Sequence, residues 1–160
     1  MRMALSCSLA LAGLAAGGCE KPQDFRVDVA GNVREAGGLR VRVELPRRSF
    51  RVGDTIAVKV TATNTTGTPI QIVSPTGAPV LVRVARQTMA GPEQVQVYPR
   101  SVTSNILSWT IPAGESWPKT LRVPVEPDWP VHEVLYVSAE LNGYGHIAPT
   151  VHIRVKPAGE

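Results

Sequence analysis

From Leu39 onward, apolar and polar side chains change places at nearly every position. Leu39, Val41, Val43 and Leu45 alternate with Arg40, Arg42 and Glu44, the period-2 pattern of a strand with one buried and one wet face. Thr55–Asn64 repeats it: Ile56, Val58, Val60 and Ala62 point one way, Lys59, Thr61 and Thr63 the other. Further strands are predicted at 70–73, 80–86, 95–98, 105–111, 119–123, 132–141 and 151–155. Turn formers divide them, among them Asn64-Thr65-Thr66-Gly67-Thr68-Pro69, Ser74-Pro75-Thr76-Gly77, Ala90-Gly91-Pro92, Ala113-Gly114-Glu115 and Asn142-Gly143. Pro118 and Pro124 bracket 119–123 and place that strand at a sheet edge, because proline cannot donate to a ladder on both sides. Each half-apolar strand must bury one face against another sheet. The expected fold is therefore all-β, an immunoglobulin-like sandwich of about seven to nine antiparallel strands over residues 39–160.

Composition sharpens this. After Gly18 there are 41 Val, Ile and Thr residues against 8 Leu and Met, a bias toward β-branched side chains that suit a pleated surface and lose rotamer freedom in a helix. The 14 prolines leave few windows for a helix of ordinary length. At 160 residues one domain is expected.

The first residues follow a different pattern. Residues 4–16 are almost wholly apolar, after Arg2 and before Gly17-Gly18-Cys19, the layout of a secretory leader. As a helix the run would reach only about 20 Å, short of the roughly 30 Å hydrocarbon thickness. The stretch Leu14-Ala15-Ala16-Gly17-Gly18-Cys19 resembles the lipobox of bacterial lipoproteins, with Ala16 at the position where leucine is commonest. The resemblance implies removal of residues 1–18, acylation of Cys19, and anchoring in a membrane through the N-terminal lipid. Each buried methylene contributes about 0.8 kcal/mol, and two chains suffice for stable anchoring. Cys7 is lost with the leader and no internal disulfide is expected. Glu20 in place of an aspartate implies, by resemblance to lipoproteins of diderm bacteria, the outer membrane facing the periplasm. Residues 19–38, polar and small and closing in Gly37-Gly38, are expected to form a tether with an end-to-end distance of about 25 Å. Phe25, Val27 and Val29 alternate with Arg26 and Asp28, which leaves a short edge strand there as an open alternative.

Within the domain, Phe50-Arg51-Val52-Gly53-Asp54, the turn Asn64-Thr65-Thr66-Gly67-Thr68-Pro69-Ile70, and Trp109-Thr110-Ile111-Pro112-Ala113-Gly114-Glu115-Ser116 resemble the layout of BsuPI-type domains over about residues 50–142. That family is named for a bacterial intracellular proteinase inhibitor. The resemblance implies an immunoglobulin-like, non-enzymatic domain that binds a protein, with Gln87–Glu93 as a protruding inhibitory loop.

Candidate chemistry is sparse. His132, His146 and His152 are widely spaced and have no cysteine partner or metalloprotease spacing, so no metal and no cofactor is expected. Serine, histidine and acids occur without a nucleophile elbow, and no enzyme is expected. The 17 Lys and Arg against 13 Asp and Glu form no dense stripe, which argues against nucleic acid. Two groups remain as candidate partner-binding residues. Trp109, Trp117 and Trp129 could form an aromatic platform for a polysaccharide or protein, or could be core. Arg47, Arg48 and Arg51 could meet anionic lipid near the anchor, or could be charges that keep a strand edge soluble. The expected function is that of a non-catalytic binding or structural module of the cell envelope, with an unidentified protein or polysaccharide partner. Proteinase inhibition and carbohydrate binding are the alternatives.

Overall fold

A computed structural model describes residues 30–160. The leader, Cys19 and the alternation at 25–29 lie outside the described residues. The described chain is all-β. Eleven strands, β1 (Ala30–Ala36), β2 (Leu39–Leu45), β3 (Ser49–Arg51), β4 (Thr55–Asn64), β5 (Ile70–Ser74), β6 (Val80–Thr88), β7 (Gly91–Tyr98), β8 (Leu107–Ile111), β9 (Ser116–Pro124), β10 (Val134–Leu141) and β11 (Thr150–Lys156), are interrupted only by a single 3-10 turn at Gly145–Ile147. They form a four-stranded sheet in the order β1-β2-β4-β9, a five-stranded sheet in the order β3-β11-β10-β6-β7, and the two-stranded pair β5-β8. All pairings are antiparallel except the parallel β3–β11.

The alternation sets which faces meet. Val41, Val43, Ile56, Val58, Val60 and Ala62 from the first large sheet are fully buried, as are Val82, Val84, Leu135, Val137 and Val155 from the second, and all belong to one apolar cluster. Their polar neighbours on β2, β4 and β11 point to solvent. β9 takes the edge position that its prolines require, with Pro118 opposite Thr61 and Pro124 opposite Thr55.

Four expectations need correction. Residues 30–36, which polar composition assigns to the tether, form β1, and Gly37-Gly38 is a hairpin turn. Both glycines have positive φ, 59° and 77°, the conformation a tight two-residue hairpin demands. A Cβ on Gly38 would sit 2.2 Å from Thr66 Cγ2. β1 escapes the hydrophobic pattern because only Ala30 is buried while Gly31–Glu35 are exposed; its ladder to β2 holds it. The strand number exceeds the expected seven to nine because β1 and the three-residue β3 lack an apolar period. The β6–β7 ladder continues through Gln87↔Pro92 and Thr88↔Gly91, so Gln87–Glu93 is a tight hairpin with a two-residue turn, Met89-Ala90, and not a loop. Finally, 105–106 lies ahead of β8, and 132–133 ahead of β10, where His132 takes a φ of 63°.

Two asparagines close the strand ends. Asn64 is fully buried. Its Nδ2 donates to Thr68 O (2.7 Å) and Ile111 O (3.0 Å), its Oδ1 accepts from Thr66 N (2.9 Å) and Thr66 Oγ1 (2.7 Å), and its N donates to Glu115 O. One side chain thus joins β4, the 65–68 turn and the end of β8. The Asn64-Thr65-Thr66 segment is a turn held by the Asn64 side chain. Asn142 does the same work elsewhere, its Nδ2 donating to Thr76 Oγ1 (2.7 Å) and Ala78 O (3.0 Å).

Truncating Asn64 leaves several buried groups without partners, each costing about 1–3 kcal/mol. Asn64→Ala should lower the unfolding free energy by about 3 kcal/mol in urea titrations, whereas Thr63→Ala, whose side chain bonds Ser116 at the surface, should change it by under about 1 kcal/mol.

Candidate functional site

The parallel pairing of β3 with β11 assembles a cationic edge. Arg154 lies opposite Ser49 and Lys156 opposite Arg51, and Arg48 O accepts from Arg154 N (2.8 Å). Phe50 and Val155 turn inward and are buried, so the period-2 alternation turns Ser49, Arg51, Arg154 and Lys156 outward together. Arg47 joins them: its guanidinium lies 5.0 Å from the centre of the Phe50 ring and pairs with Asp54 at 2.6 Å. Asp54 Oδ2 also accepts from Arg51 N (2.8 Å), locking the turn in which Gly53 has φ 91°. The Arg51 guanidinium donates to Glu160 O. Among the described residues no carboxylate lies within 4 Å of Arg48, Arg154 or Lys156.

Two concavities open on this edge. One, of about 190 Å³, is lined by Arg47, Ser49, Phe50, Arg51, Asp54 and Lys156. The other, of about 220 Å³, brings Arg48 beside Gly31, Asn32, Thr150, Val151 and His152, and Asn32 Nδ2 donates to Thr150 O across it (2.8 Å). Ala30, the first described residue of β1, is followed by Gly31 and Asn32 in this second concavity. Arg154 and Lys156 are the members that pattern reading missed. Their signal was the outward phase of His152, Arg154 and Lys156 against Val151, Ile153 and Val155, but only the long-range pairing brings them to Arg48 and Arg51.

The three tryptophans are divided. Trp129 is 3% exposed and sits in the core beside Tyr98, with ring centroids 6.5 Å apart. Trp109 and Trp117 are half-buried and pack on one another at 4.8 Å and 33°; β8 and β9 carry them to the margin of the apolar cluster. Trp109 Nε1 and Trp129 Nε1 are buried without an acceptor. A continuous platform of all three is therefore not built.

The histidines are apart. His152 is exposed on β11 and meets Tyr136 edge-on at 4.7 Å, His146 lies in the 3-10 turn near Tyr144 (6.4 Å), and His132 precedes β10. Among the described residues no group of three or more His, Cys, Asp or Glu is placed to hold a metal. A separate, mainly apolar groove of about 280 Å³ runs between Gly77–Val80, Pro99, Ser101–Thr103 and the β9 residues Lys119 and Leu121.

Tyr98 closes the other flank of the core. Its hydroxyl faces Pro124 O (3.3 Å) and Glu126 Oε1 (3.4 Å), and Arg100 pairs with Glu126 at 3.0 Å while lying 5.8 Å from the Tyr98 ring centre. Burial holds the Tyr98 phenol above its ordinary value of 10.0, against the opposing pull of Arg100.

No protein-family model and no curated protein matches the chain. Among solved structures it is similar to a cycloisomaltooligosaccharide glucanotransferase of Paenibacillus sp. complexed with cycloisomaltoheptaose, at 15% identity over 80% of this chain and 14% of that one, with a TM-score of 0.48. It is similar also to a β-glucosidase of Listeria innocua in complex with gluconolactone (14% identity, 74% and 16% covered, TM-score 0.48). A third is an alkylpurine DNA glycosylase of Pseudomonas fluorescens bound to DNA containing an abasic site analog (11% identity, 79% and 30% covered, TM-score 0.48). The chain spans at most 30% of the length of these three, and none of the likenesses bears on activity.

A phenol whose folded-state pKa is raised stabilises the fold fully below its unfolded value, and that contribution is lost as pH rises through the folded value. Unfolding free energy measured from neutral pH to above 10 should therefore fall more steeply for the wild type than for Tyr98→Phe; parallel curves would show that the phenol is not linked to folding.

Proposed function

We propose that this chain is a non-catalytic lipoprotein of the bacterial cell envelope, acylated at Cys19, whose two larger sheets form an immunoglobulin-like sandwich that serves as a binding or structural module. The observation that supports this reading is how few residues separate Cys19 from a described strand of the domain. Ala30, the first residue of β1, follows Cys19 by eleven residues, and eleven residues reach at most about 38 Å. A domain tied to an acylated Cys19 would work at the membrane surface, on the periplasmic side of the outer membrane in a diderm host. Its partner would be an envelope protein or polysaccharide.

The BsuPI-type resemblance is supported by a contact between the two segments that carry it. Asn64 bonds Ile111 O through its side chain and Glu115 O through its backbone, so the asparagine turn and the proline-glycine-glutamate turn stabilise each other. Proteinase inhibition, the second reading, is favoured by the β6–β7 hairpin, at whose tip Met89 is fully exposed.

Two measurements check these readings. In a diderm expression host the mature protein should fractionate with membranes and its N-terminal peptide should carry the acyl mass; Cys19→Ser should release it to the soluble fraction. A wild-type protein that is soluble with a free thiol defeats the anchor. For inhibition, stoichiometric loss of activity of some member of a protease panel, relieved by Met89→Asp, is expected, and no inhibition across the panel removes that reading.

A further inference from the structure

The cationic edge and the described start of β1 lie together, and that juxtaposition is independent of any family resemblance. β1 starts at Ala30 opposite Leu45, two residues before Arg47. Gly31 and Asn32 share a concavity with Arg48. Around them are five exposed bases, Arg47, Arg48, Arg51, Arg154 and Lys156, against Asp54, already held by Arg47, and Glu160. Glu133, next to Val134 opposite Arg154, is 3.8 Å from Arg86, and Glu93 and Glu126 pair with Arg86 and Arg100. Glu44, opposite Gly31, is paired with Arg42 and Lys59, so the five bases outnumber the acids left free beside the start of β1.

We infer that this edge is the face turned toward anionic phospholipid headgroups, and that a headgroup phosphate seats in the concavity lined by Arg47, Ser49, Arg51 and Lys156. The inference rests on the reading of Cys19 as acylated. The chemistry of the lining fits a phosphate diester. Arg51, whose Nε donates to Glu160 O, offers the outer N–H groups of its guanidinium, Lys156 a mobile ammonium and Ser49 a hydroxyl, while Arg47 neutralises Asp54 in the concavity. Ions of this kind act on a charged bilayer only within about a Debye length, 8 Å at physiological salt. The connection to Cys19, with a reach of at most about 38 Å, does not impose that distance, but tethering raises the effective concentration of the edge at the bilayer so that charge attraction has only to close the remaining gap.

Lysine labelling tests this in the whole mature lipoprotein. It is reconstituted in phosphatidylcholine vesicles with or without phosphatidylglycerol, and acetylated briefly with an amine-reactive reagent. Lys156 is read against Lys59 and Lys119 of the same molecules. With phosphatidylglycerol, labelling of Lys156 should fall severalfold relative to Lys119, and the protection should vanish near 1 M salt, where the Debye length is about 3 Å. Arg51→Glu should also abolish it; an unfolded variant would be revealed by a parallel rise at Lys59, and the salt arm needs no variant. Equal labelling of Lys156 in both vesicle types overturns the inference, as does protection by inorganic phosphate alone on phosphatidylcholine, which would assign the concavity to a free anion. The mass of the N-terminal peptide is read on the same sample. If Cys19 is unmodified, the anchoring reading fails separately, and protection of Lys156 on addition of the chain to preformed anionic vesicles decides the edge by itself.

Discussion

The domain depends on an interior dry enough that every main-chain group reaching into it must find a partner. Val41, Val43, Ile56, Val58, Val60 and Val82, with their counterparts on β10 and β11, are at or near zero exposure. Each such side chain is worth about 1.5–3 kcal/mol on burial, and β-branching limits the rotamer freedom it surrenders. The described residues contain no cysteine, so no disulfide shares this task among them. Sheet order follows from the same demand: β2 and β4 offer unbroken apolar faces and sit inside their sheet, while proline-bearing β9 and the mostly exposed β1 take its edges.

Dryness makes the strand ends the weak points, because there the ladders stop before the solvent starts. Asn64 and Asn142 supply the missing partners, and Ser74 adds bonds from its hydroxyl to Thr76 O and Ala78 O (both 2.9 Å). These are the buried polar residues of an otherwise apolar interior, joined by Glu140, which pairs with Arg83 at 3.0 Å. Asparagine suits the position because one side chain can both donate twice and accept twice. That is why the turn 64–68 can fold down onto β8.

Charge is then sorted by geometry. The alternation that buries Phe50 and Val155 pushes Arg51, Arg154 and Lys156 out, and parallel pairing of β3 with β11 gathers on one edge bases drawn from positions 47–51 and 154–156. Charges at an edge also discourage pairing with a foreign strand, so solubility and the proposed headgroup contact would place the same demand on these side chains. The Trp109–Trp117 pair and Trp129 follow the opposite logic: each ring fills volume at the margin or base of the core.

The period-2 pattern by itself determined that the described chain is all-β, which faces of β2 and β4 are buried, and that β9 lies at an edge, because alternation and proline chemistry are local properties. It left β1 and β3 unseen, since neither carries an apolar period, and it read Gly37-Gly38 as the end of a tether because a hairpin turn and a flexible linker share their composition. Arg47, Arg48 and Arg51 were legible as a cluster because they are adjacent in sequence; their union with Arg154 and Lys156 was not. Only the tertiary structure decided that union, the separation of Trp129 from the other two tryptophans, and the bond from Asn64 to Ile111. Each joins residues far apart in the chain, and which distant strands pair depends on how all the apolar faces can be hidden at once.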